Sequence, residues 1–438
     1  MQGFSRNDGV TALAADHAAA LLGLFGLGGV GVASDHPALA WRRAGLMAVT
    51  GRADGQGLVA PVALTAAADG ALTALRAVAP GADLPENGAL LLGERARILG
   101  LTRQGAVSAN GSCRLLDAAD GRIALNLPRV EDWELVPALL GEAAADWAAL
   151  ARIVAVRPSG ELLEQGRLLG LAVALDEAVA APLAPFRMAQ LGVPKPRGVV
   201  PLVVDLSALW AGPLAGSLLA AAGAQVVKVE SVRRPDGARA GAKAFYDLLN
   251  AGKASVALDF GDAADLQLLR KLVRAADIVI ESARPRALAG LGIDAEAEAR
   301  RGASWLSITA HGRTGEAANW IGFGDDAAVA GGLSAAMRQG WGETLFAGDA
   351  IADPLTGITA AFAGWASWRA GGGRLISVAL SEVVAHACGL YAAGGAETRQ
   401  WQALAAADEA PLYSLRVSQG TARALGADNL AILGSASV

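Results

Sequence analysis

The chain has 438 residues, of which 53% are hydrophobic and 18% are charged, and its net charge is -5 with a pI near 5.5. This length favours roughly two or three domains, and the acidic balance argues against a nucleic acid or a membrane surface as the main partner. Two cysteines and four scattered histidines offer neither a disulfide framework nor a metal-ligand spacing, so we expect no metal site.

The N-terminal part of the chain contains an apolar run at residues 18–33, which glycines interrupt. The run is shorter than the roughly 20 apolar residues that a membrane-spanning helix requires. It also lacks the basic start and the cleavage site of a secretory signal. We therefore expect a buried helix followed by a glycine-rich turn, in a cytoplasmic protein that does not insert into a membrane.

Residues 106–191 have the pattern of a small α+β domain. Two strand-like runs flank the turn Asp120-Gly121, and an amphipathic helical segment, VEDWELVPALLG, follows them. The Pro/Gly/basic stretch GVPKPRG at 192–198 then predicts a linker. This pattern separates the first half of the chain from a more regular second half.

From residue 199 onward, short apolar runs alternate with helical segments. The strand-like runs are VVPLVVDL (199–206), QVVKVE (225–230), KASVALDF (253–260), ADIVIES (276–282) and SWLSITA (304–310). This alternation predicts an α/β domain at 199–395 with a doubly wound, largely parallel, Rossmann-like sheet, and leaves residues 396–438 as a C-terminal tail. The loop after the first strand, SALWAGPLAG, contains no G-x-G-x-x-G, which disfavours a dinucleotide site.

The chain also contains an internal repeat. A shift of 287 positions overlays residues 45–75 on residues 332–362 without gaps. The later copy includes the stretch AGDAIADPLTGITAAF, and the earlier copy reads APVALTAAADGALTAL at the same positions. On this overlay Ala66 stands where the later copy has Asp353. We interpret residues 1–105 as a helical and loop segment that contains a degenerate copy of the acid-bearing region.

Two acids of the later copy, Asp349 and Asp353, are candidates for chemistry. An acid just before a helix commonly caps that helix. A buried carboxylate can instead act as a nucleophile that attacks an acyl carbon and forms a covalent intermediate. The residue pattern alone leaves both roles open.

Several segments in chain order resemble the signatures of family III CoA-transferases, which include the formyl-CoA and carnitine-type transferases and, as a branch, the α-methylacyl-CoA racemases. These segments are DLSALWAGPLAGSLLAAAGAQVVKVE, RPDGAR, FYDLLNAGKASVALDF, ADIVIESARPRALAGLGI, SITAHGRTG and GDAIADPLTGITAAFAGW. The resemblance covers about residues 200–385, with weaker similarity in the first half. It implies a Rossmann-like domain with a smaller α+β domain, usually in an interlocked homodimer.

The family's catalytic aspartate lies four residues before a glycine, a spacing that Asp353 and Gly357 match and Asp349 does not. The resemblance implies that Asp353 attacks an acyl-CoA to give a mixed anhydride, and that the released CoA then forms an aspartyl-CoA thioester. The carboxylate of the acceptor then displaces CoA from this thioester, and CoA is passed on to the acceptor. The backbone amides of Gly331 and Gly332 would stabilise the oxyanions. Acyl-CoA is then a substrate, and we expect no permanently bound cofactor.

The resemblance also implies contacts between the protein and CoA. The implied positions are Ser207, Ala208, Leu209, Trp210, Gly212, Arg239, Lys253 and Arg284. Lys253 and Arg284 would lie near the phosphates of CoA, although a solvated charged surface is the alternative for both. Gly290 occupies a position where the family often has arginine, so one contact is expected to be missing.

Other functions stay open. The racemase branch pairs its aspartate with a histidine, which the segment GFGDDAAVAGG (322–332) lacks. An acyl-CoA racemase or isomerase would need Asp325 or Asp326 as a second base, and a non-catalytic acyl-CoA-binding protein is a further alternative. The order of the segments indicates a permuted or duplicated chain, and the sequence leaves open whether its first half replaces a second subunit.

Overall fold

The computed structural model describes residues 4–31 and 34–435. An N-terminal helical segment precedes a small α+β unit, a large α/β unit and a C-terminal tail. The N-terminal segment contains the helices α1 (Phe4–Gly23), α2 (Pro37–Arg43), α3 (Leu64–Val78) and α4 (Ala89–Leu99). The small unit contains β1 (Cys113–Asp117), β2 (Arg122–Asn126), α5 (Val130–Glu134), α6 (Val136–Leu140), α7 (Trp147–Val154), α8 (Ser159–Leu169) and β3 (Ala172–Leu175).

The large unit holds the remaining strands and all but one of the other described helices. Its strands are β4 (Arg187–Gln190), β5 (Leu202–Asp205), β6 (Gln225–Ser231), β7 (Ala254–Leu258), β8 (Ile278–Glu281), β9 (Ser304–Thr309) and β10 (Arg374–Ala379). Its helices are α9 (Ala211–Ala221), α10 (Lys243–Asn250), α11 (Ala263–Ala275), α12 (Pro285–Gly290), α13 (Ala295–Arg301), α14 (Gly324–Ala330), α15 (Leu333–Trp341), α16 (Ala352–Arg369), α17 (Leu380–Leu390) and α18 (Gly395–Ala406). The tail ends in α19 (Asn429–Ser435).

The large unit is built on a sheet with the strand order β4-β10-β9-β8-β5-β6-β7, in which only β4 is antiparallel to its neighbour. Successive residues of the central strands point to opposite faces. Val203 and Ile278 join the core beneath α9 and α16, whereas Val204 and Val279 join the core beneath α11. Strands buried on both faces read as continuous apolar runs. The predicted doubly wound, largely parallel sheet is therefore confirmed.

Strand β4 departs from the predicted arrangement. The sequence placed its residues in the small domain at 106–191, but they pair antiparallel with β10 at the edge of the large sheet. The chain then passes Gly192, whose amide donates a hydrogen bond to the carbonyl of Gly373. The short, polar strand gave no period-two apolar signal because an edge strand is mostly exposed.

The small unit is an antiparallel sheet, β1-β2-β3, with the predicted turn Asp120-Gly121 between β1 and β2. One face packs against α6, α7 and α8. The other face, which includes Cys113 and Ala124, packs against Val329 of α14 and Phe346 in the large unit. This second contact places the small sheet directly behind the acid-bearing helices.

The two copies of the repeat match in part, since a 3-10 turn at Leu46–Val49 stands where the later copy has the longer helix α15. After a shift of 287 positions, the bounds of α2 coincide with those of α14, and Gly45 and Gly332 have the same left-handed φ of 83°. Helix α3 packs against α16, and Trp365 donates a hydrogen bond to the carbonyl of Val78 at 3.0 Å. Helix α1 packs on α3 as α9 packs on α16. The N-terminal segment thus repeats the helix arrangement that surrounds Asp353.

The C-terminal tail joins both halves of the molecule. The Arg416 guanidinium forms an ion pair with buried Glu94 of α4, and the Asp428 and Asn429 side chains bond the backbone of edge strand β7. None of the described helices combines the length and the apolar character that crossing a bilayer demands.

Candidate active site

Asp353 lies in the first turn of α16 and is half-buried. The backbone amide of Ala211, the first residue of α9, faces its carboxylate and opposes the rise in the pKa of this group. Two helices therefore point their N-terminal ends at one carboxylate. Because the N-terminal end of a helix carries partial positive charge, this position stabilises negative charge. The same field would also stabilise an oxyanion that formed beside this carboxylate.

Two glycines explain why the carboxylate fits between these helices. A Cβ on Gly357 would lie 2.7 Å from the carbonyl oxygen of Ala211, and a Cβ on Gly324 would overlap the Asp353 carboxylate. Gly357 lies four residues after Asp353 and hence on the same face of α16. The glycine four residues after Asp353 thus leaves the room that α9 needs to approach this carboxylate closely.

Substitution of Gly357 by alanine is expected to push the first turn of α9 away from Asp353. Overpacking of this kind costs about 1–3 kcal/mol of stability, and we expect covalent reaction at Asp353 to slow at least about tenfold. Denaturant unfolding and the rate of adduct formation measure the two effects. Gly364→Ala is the matched control because its Cβ would meet a flexible Leu306 methyl group at 2.8 Å. A normal adduct rate in Gly357→Ala would contradict this explanation of the spacing.

A cluster of carboxylates surrounds Asp353. Burial raises the pKa of Asp353 to about 7, a shift that Arg95 of α4 opposes and that Asp325 and Asp326 reinforce. Asp349 is fully buried, and one Nη of Arg95 lies 2.9 Å from each of its carboxylate oxygens. Burial also raises the pKa of Asp349 to about 7. The ionised fractions of Asp353 and Asp349 therefore change around neutral pH.

The acids of α14 are held by asparagines of the small unit. Asp325 accepts hydrogen bonds from the Asn110 side chain at 2.9 Å and from the Ala350 amide at 2.8 Å. Asp326 accepts hydrogen bonds from Asn126 at 2.8 Å and from the Phe323 amide. Burial raises the pKa of Asp325, and it raises the pKa of Asp326 to about 7. The Oδ2 atom of Asp326 is buried without a hydrogen-bond partner.

The turn before α16 is strained. Ala350 adopts a φ of 41°, in the left-handed region that an alanine rarely occupies. Its amide donates to Asp325, its carbonyl accepts from the Asp353 amide at 2.9 Å, and the Gly348 amide donates to Thr50 at 3.0 Å. Strained backbone persists only where the surroundings hold it firmly, and it is frequent at functional sites.

The predicted CoA positions that follow β5 lie at the point where the strand order reverses. The Ala208 amide donates a hydrogen bond to Ser282, which follows β8, and so connects the ends of two neighbouring parallel strands. Ligands of doubly wound sheets bind in this crevice. Leu209 is 45% exposed and has a φ of 68°, and its amide donates to Asp236. The structure thus brings this loop to the edge where a ligand is expected.

Three other predicted CoA positions form the inner wall of this loop. The Ser207 hydroxyl donates to Asp205, and a Cβ on Gly212 would overlap Ser207. Trp210 is buried edge-on against Phe245, with the Arg95 guanidinium carbon 5.2 Å from its ring centroid. These residues shape the loop and offer few free atoms to a ligand.

The predicted contact between Lys253 and a phosphate is wrong, and so is the solvated alternative. Lys253 is 2% exposed, and its Nζ donates to Asp205 at 2.9 Å, to the Pro213 carbonyl at 2.8 Å and to Asn250 at 3.1 Å. The buried Asp205 at the end of β5 requires a positive partner, which draws the lysine inward. Arg239 is likewise paired with Glu230.

The position of Arg284 is compatible with both of its predicted surroundings, a CoA phosphate or solvent. It is exposed at the start of α12, just after β8, and partial burial together with Arg286, Arg234 and Arg129 lowers the pKa of its guanidinium. A group of neighbouring cations at the strand ends favours a polyanionic ligand. Gly290 ends the same helix, and nothing lies within 4 Å of a Cβ placed there.

The structure does not bring Gly331 and Gly332 to Asp353 as oxyanion donors. Their amides already donate to the carbonyls of Ala327 and Val329 at the end of α14. A Cβ on Gly331 would meet Val384 of α17. The amides of both glycines thus belong to the hydrogen bonds that end α14.

Sequence reasoning missed the residues of the N-terminal half that contact the acids, namely Arg95, Asn110 and Asn126, and also Thr50, which contacts the turn before α16. One signal was present for Arg95. The helical stretch ALLLGERARIL places Glu94 and Arg95 together in an apolar run, and buried charges require partners. Those partners, Asp349 and Arg416, lie 254 and 322 positions further along the chain, where no local pattern identifies them.

The fold and the site together define a class of protein. It is an α/β protein with a doubly wound sheet, in which a carboxylate lies between two helix N-termini beside the point where the strand order reverses. Residues 201–417 match the model of CoA-transferase family III. This part of the chain belongs to the family.

The curated relatives carry CoA-transferase names. A succinate–glutarate CoA-transferase of Agrobacterium fabrum is 34% identical over 200 residues, which are 41% of this chain and 50% of the relative. The human succinyl-CoA:glutarate CoA-transferase is 28% identical over 216 residues, 45% of this chain and 49% of the relative. The chain spans about half the length of these relatives. A solved structure, that of the hypothetical protein Rv3272 of Mycobacterium tuberculosis, is 27% identical to this chain and matches it with a TM-score of 0.39. The match covers 43% of this chain and 57% of the chain in that structure.

Proposed function

We propose that the protein is a CoA-transferase that moves CoA from an acyl-CoA thioester to a carboxylic acid, with Asp353 as the nucleophile. The observation that carries this proposal is the Asp353 carboxylate, which lies between the N-termini of α9 and α16 with a pKa raised to about 7 by burial. A desolvated carboxylate attacks an acyl carbon more readily than a hydrated one. The family match supports the same chemistry.

The proposed reaction regenerates the free carboxylate of Asp353 at the end of each cycle. The Asp353 carboxylate attacks the thioester carbon, breaks the C–S bond and releases CoA thiolate, which leaves a mixed anhydride. The thiolate attacks the aspartyl carbon of this anhydride and releases the donor acid as its carboxylate. The acceptor carboxylate then attacks the aspartyl-CoA thioester, and the thiolate finally attacks the acceptor carbon of the new anhydride. The Ala211 amide donates to the oxyanions that form at Asp353.

Acyl-CoA is the proposed partner, and its phosphates are proposed to lie near Arg284 and the neighbouring cations Arg234 and Arg286. The relatives named for succinate and glutarate make a dicarboxylic acid the acceptor to test first. We retain the homodimer and the cytoplasmic location as predictions.

One observation favours a second candidate, an acyl-CoA racemase or isomerase. The buried Oδ2 of Asp326 has no hydrogen-bond partner, and the pKa of this group is about 7. Such a group could serve as a second base opposite Asp353. In contrast, both oxygens of Asp325 are occupied by Asn110 and Ala350.

Trapping of the covalent intermediate tests the proposal. The protein is incubated with succinyl-CoA, then with hydroxylamine or borohydride, and Asp353 is examined by mass spectrometry. Modification at Asp353 together with transfer of CoA to glutarate is the expected result. With a 2-methylacyl-CoA in deuterated water, exchange at the α-carbon without any adduct would favour the racemase. Binding of acyl-CoA with neither outcome would favour a non-catalytic protein.

A further inference from the structure

We propose that the N-terminal segment completes the catalytic site, and that Arg95 of α4 is a positioning residue for Asp353. This inference rests on the proposed role of Asp353. The segment carries the degenerate copy of the repeat, so it cannot supply a nucleophile of its own at Ala66. Its role would instead be to hold the turn from which the working copy presents Asp353.

The contact between Arg95 and Asp349 is the first support. Asp349 is fully buried four residues before Asp353, and both of its carboxylate oxygens lie 2.9 Å from one Nη of Arg95. The guanidinium also lies over the ring of Trp210, the residue before α9. Arg95 therefore touches both segments that meet at Asp353. Removal of one partner from a buried ion pair leaves a charge without compensation.

Two further residues of the first half hold the same turn. Thr50 accepts a hydrogen bond from the Gly348 amide at 3.0 Å. Asn110 donates to Asp325 at 2.9 Å, and Asp325 accepts from the Ala350 amide at 2.8 Å. The left-handed φ of Ala350 needs this support, because an isolated alanine would relax to a common conformation. The strained turn is thus held from three points outside the catalytic copy.

The charges that face Asp353 give Arg95 a second effect. Among the described residues, Asp325 and Asp326 of α14 and Arg95 of α4 act on the charge of Asp353, and α9 contributes the Ala211 amide. Asp349 in the turn lies next to Arg95 and Asp325. The acids oppose ionisation of Asp353, and Arg95 favours it. Loss of Arg95 therefore raises the pKa of Asp353 and leaves a smaller ionised fraction at neutral pH.

The test compares the rate of covalent modification of Asp353 across pH in Arg95→Met, Arg95→Lys and the wild type. In Arg95→Met we expect a rate at least about tenfold lower near neutral pH, a pH midpoint moved upward, and partial recovery in alkaline solution. Arg95→Lys restores the charge and should return the midpoint toward that of the wild type. Arg97→Met is the matched control because Arg97, on the same helix, donates to the Tyr413 carbonyl at 2.7 Å instead. It should keep the wild-type profile.

Thr50→Val provides a test that retains every charge. It removes the acceptor of the Gly348 amide, so we expect a lower rate with an unchanged pH midpoint. Thermal unfolding of each variant verifies that it is folded. A wild-type protein that forms no adduct would overturn the proposed function. If the wild type forms the adduct and Arg95→Met forms it at the same rate and with the same pH midpoint, only the role of Arg95 is overturned. A slower rate in Arg95→Met with an unmoved pH midpoint would overturn that role as well.

Discussion

Replacement of Asp353 by asparagine is expected to abolish CoA transfer and to lower kcat by about a thousandfold or more. The amide has the shape of the carboxylate but cannot attack a thioester or form an anhydride. Steady-state transfer from succinyl-CoA to glutarate measures the loss, and mass spectrometry should find no adduct at residue 353. Binding of acyl-CoA should persist because the loop after β5 is unchanged. Transfer at the wild-type rate by this variant would remove Asp353 from the mechanism.

The same variant should be more stable than the wild type at neutral and alkaline pH. Burial raises the pKa of Asp353 from 3.8 to about 7, so the folded protein binds the proton more tightly than the unfolded chain does. The wild type consequently loses stability as the pH rises from 3.8 to 7, and above 7 the loss is complete. Asparagine carries no such cost. The difference in Tm between the two proteins should be largest above pH 7 and should close toward pH 3.8.

Introduction of aspartate at Ala66 should destabilise the protein without creating a second reactive site. Ala66 is 3% exposed and packs with Ala14 and Ala63. Ala14 lies in the middle of α1, so its amide is used inside the helix, whereas Ala211 begins α9. A carboxylate at 66 would therefore be buried without a free amide at a helix N-terminus to donate to it. An uncompensated buried charge costs about 3–5 kcal/mol.

Denaturant unfolding and adduct mapping with acyl-CoA check this second prediction. Ala66→Asn is the control, since it has similar size but no charge and should be less destabilised above neutral pH. Ala66→Asp should recover part of its stability as the pH falls and the new carboxyl group becomes protonated. An adduct at residue 66, or a stability equal to that of the wild type, would show that the copy still provides a functional carboxylate site.

Local patterns were enough to predict much of the large unit. The runs that became β5 to β9 are apolar and bounded by turn residues, and burial on both faces produces that pattern directly. The spacing of Asp353 and Gly357 also has a local cause, because both lie on one face of a single helix. In both cases the residues that form the sequence pattern are also the residues that determine the local structure, and they lie close together in the chain.

The remaining features depend on contacts that no local pattern encodes. A lysine at the start of a strand looks the same whether it faces solvent or, as Lys253 does, a buried Asp205. Glycines such as Gly331 and Gly332 look the same in an oxyanion loop and at a helix end. The contact between Arg95 and Asp349 spans 254 positions, so neither residue indicates the other in the sequence.

The turn before Asp353 has a consequence for the order in which the molecule forms. The supporting contacts of Gly348, Asp349 and Asp325 with the first half span 298, 254 and 215 positions, respectively. Contacts between such distant positions close late in folding because the chain between them must lose its freedom first. During synthesis the supporting residues leave the ribosome long before the turn that they hold. We therefore expect the proposed site to become complete late in folding.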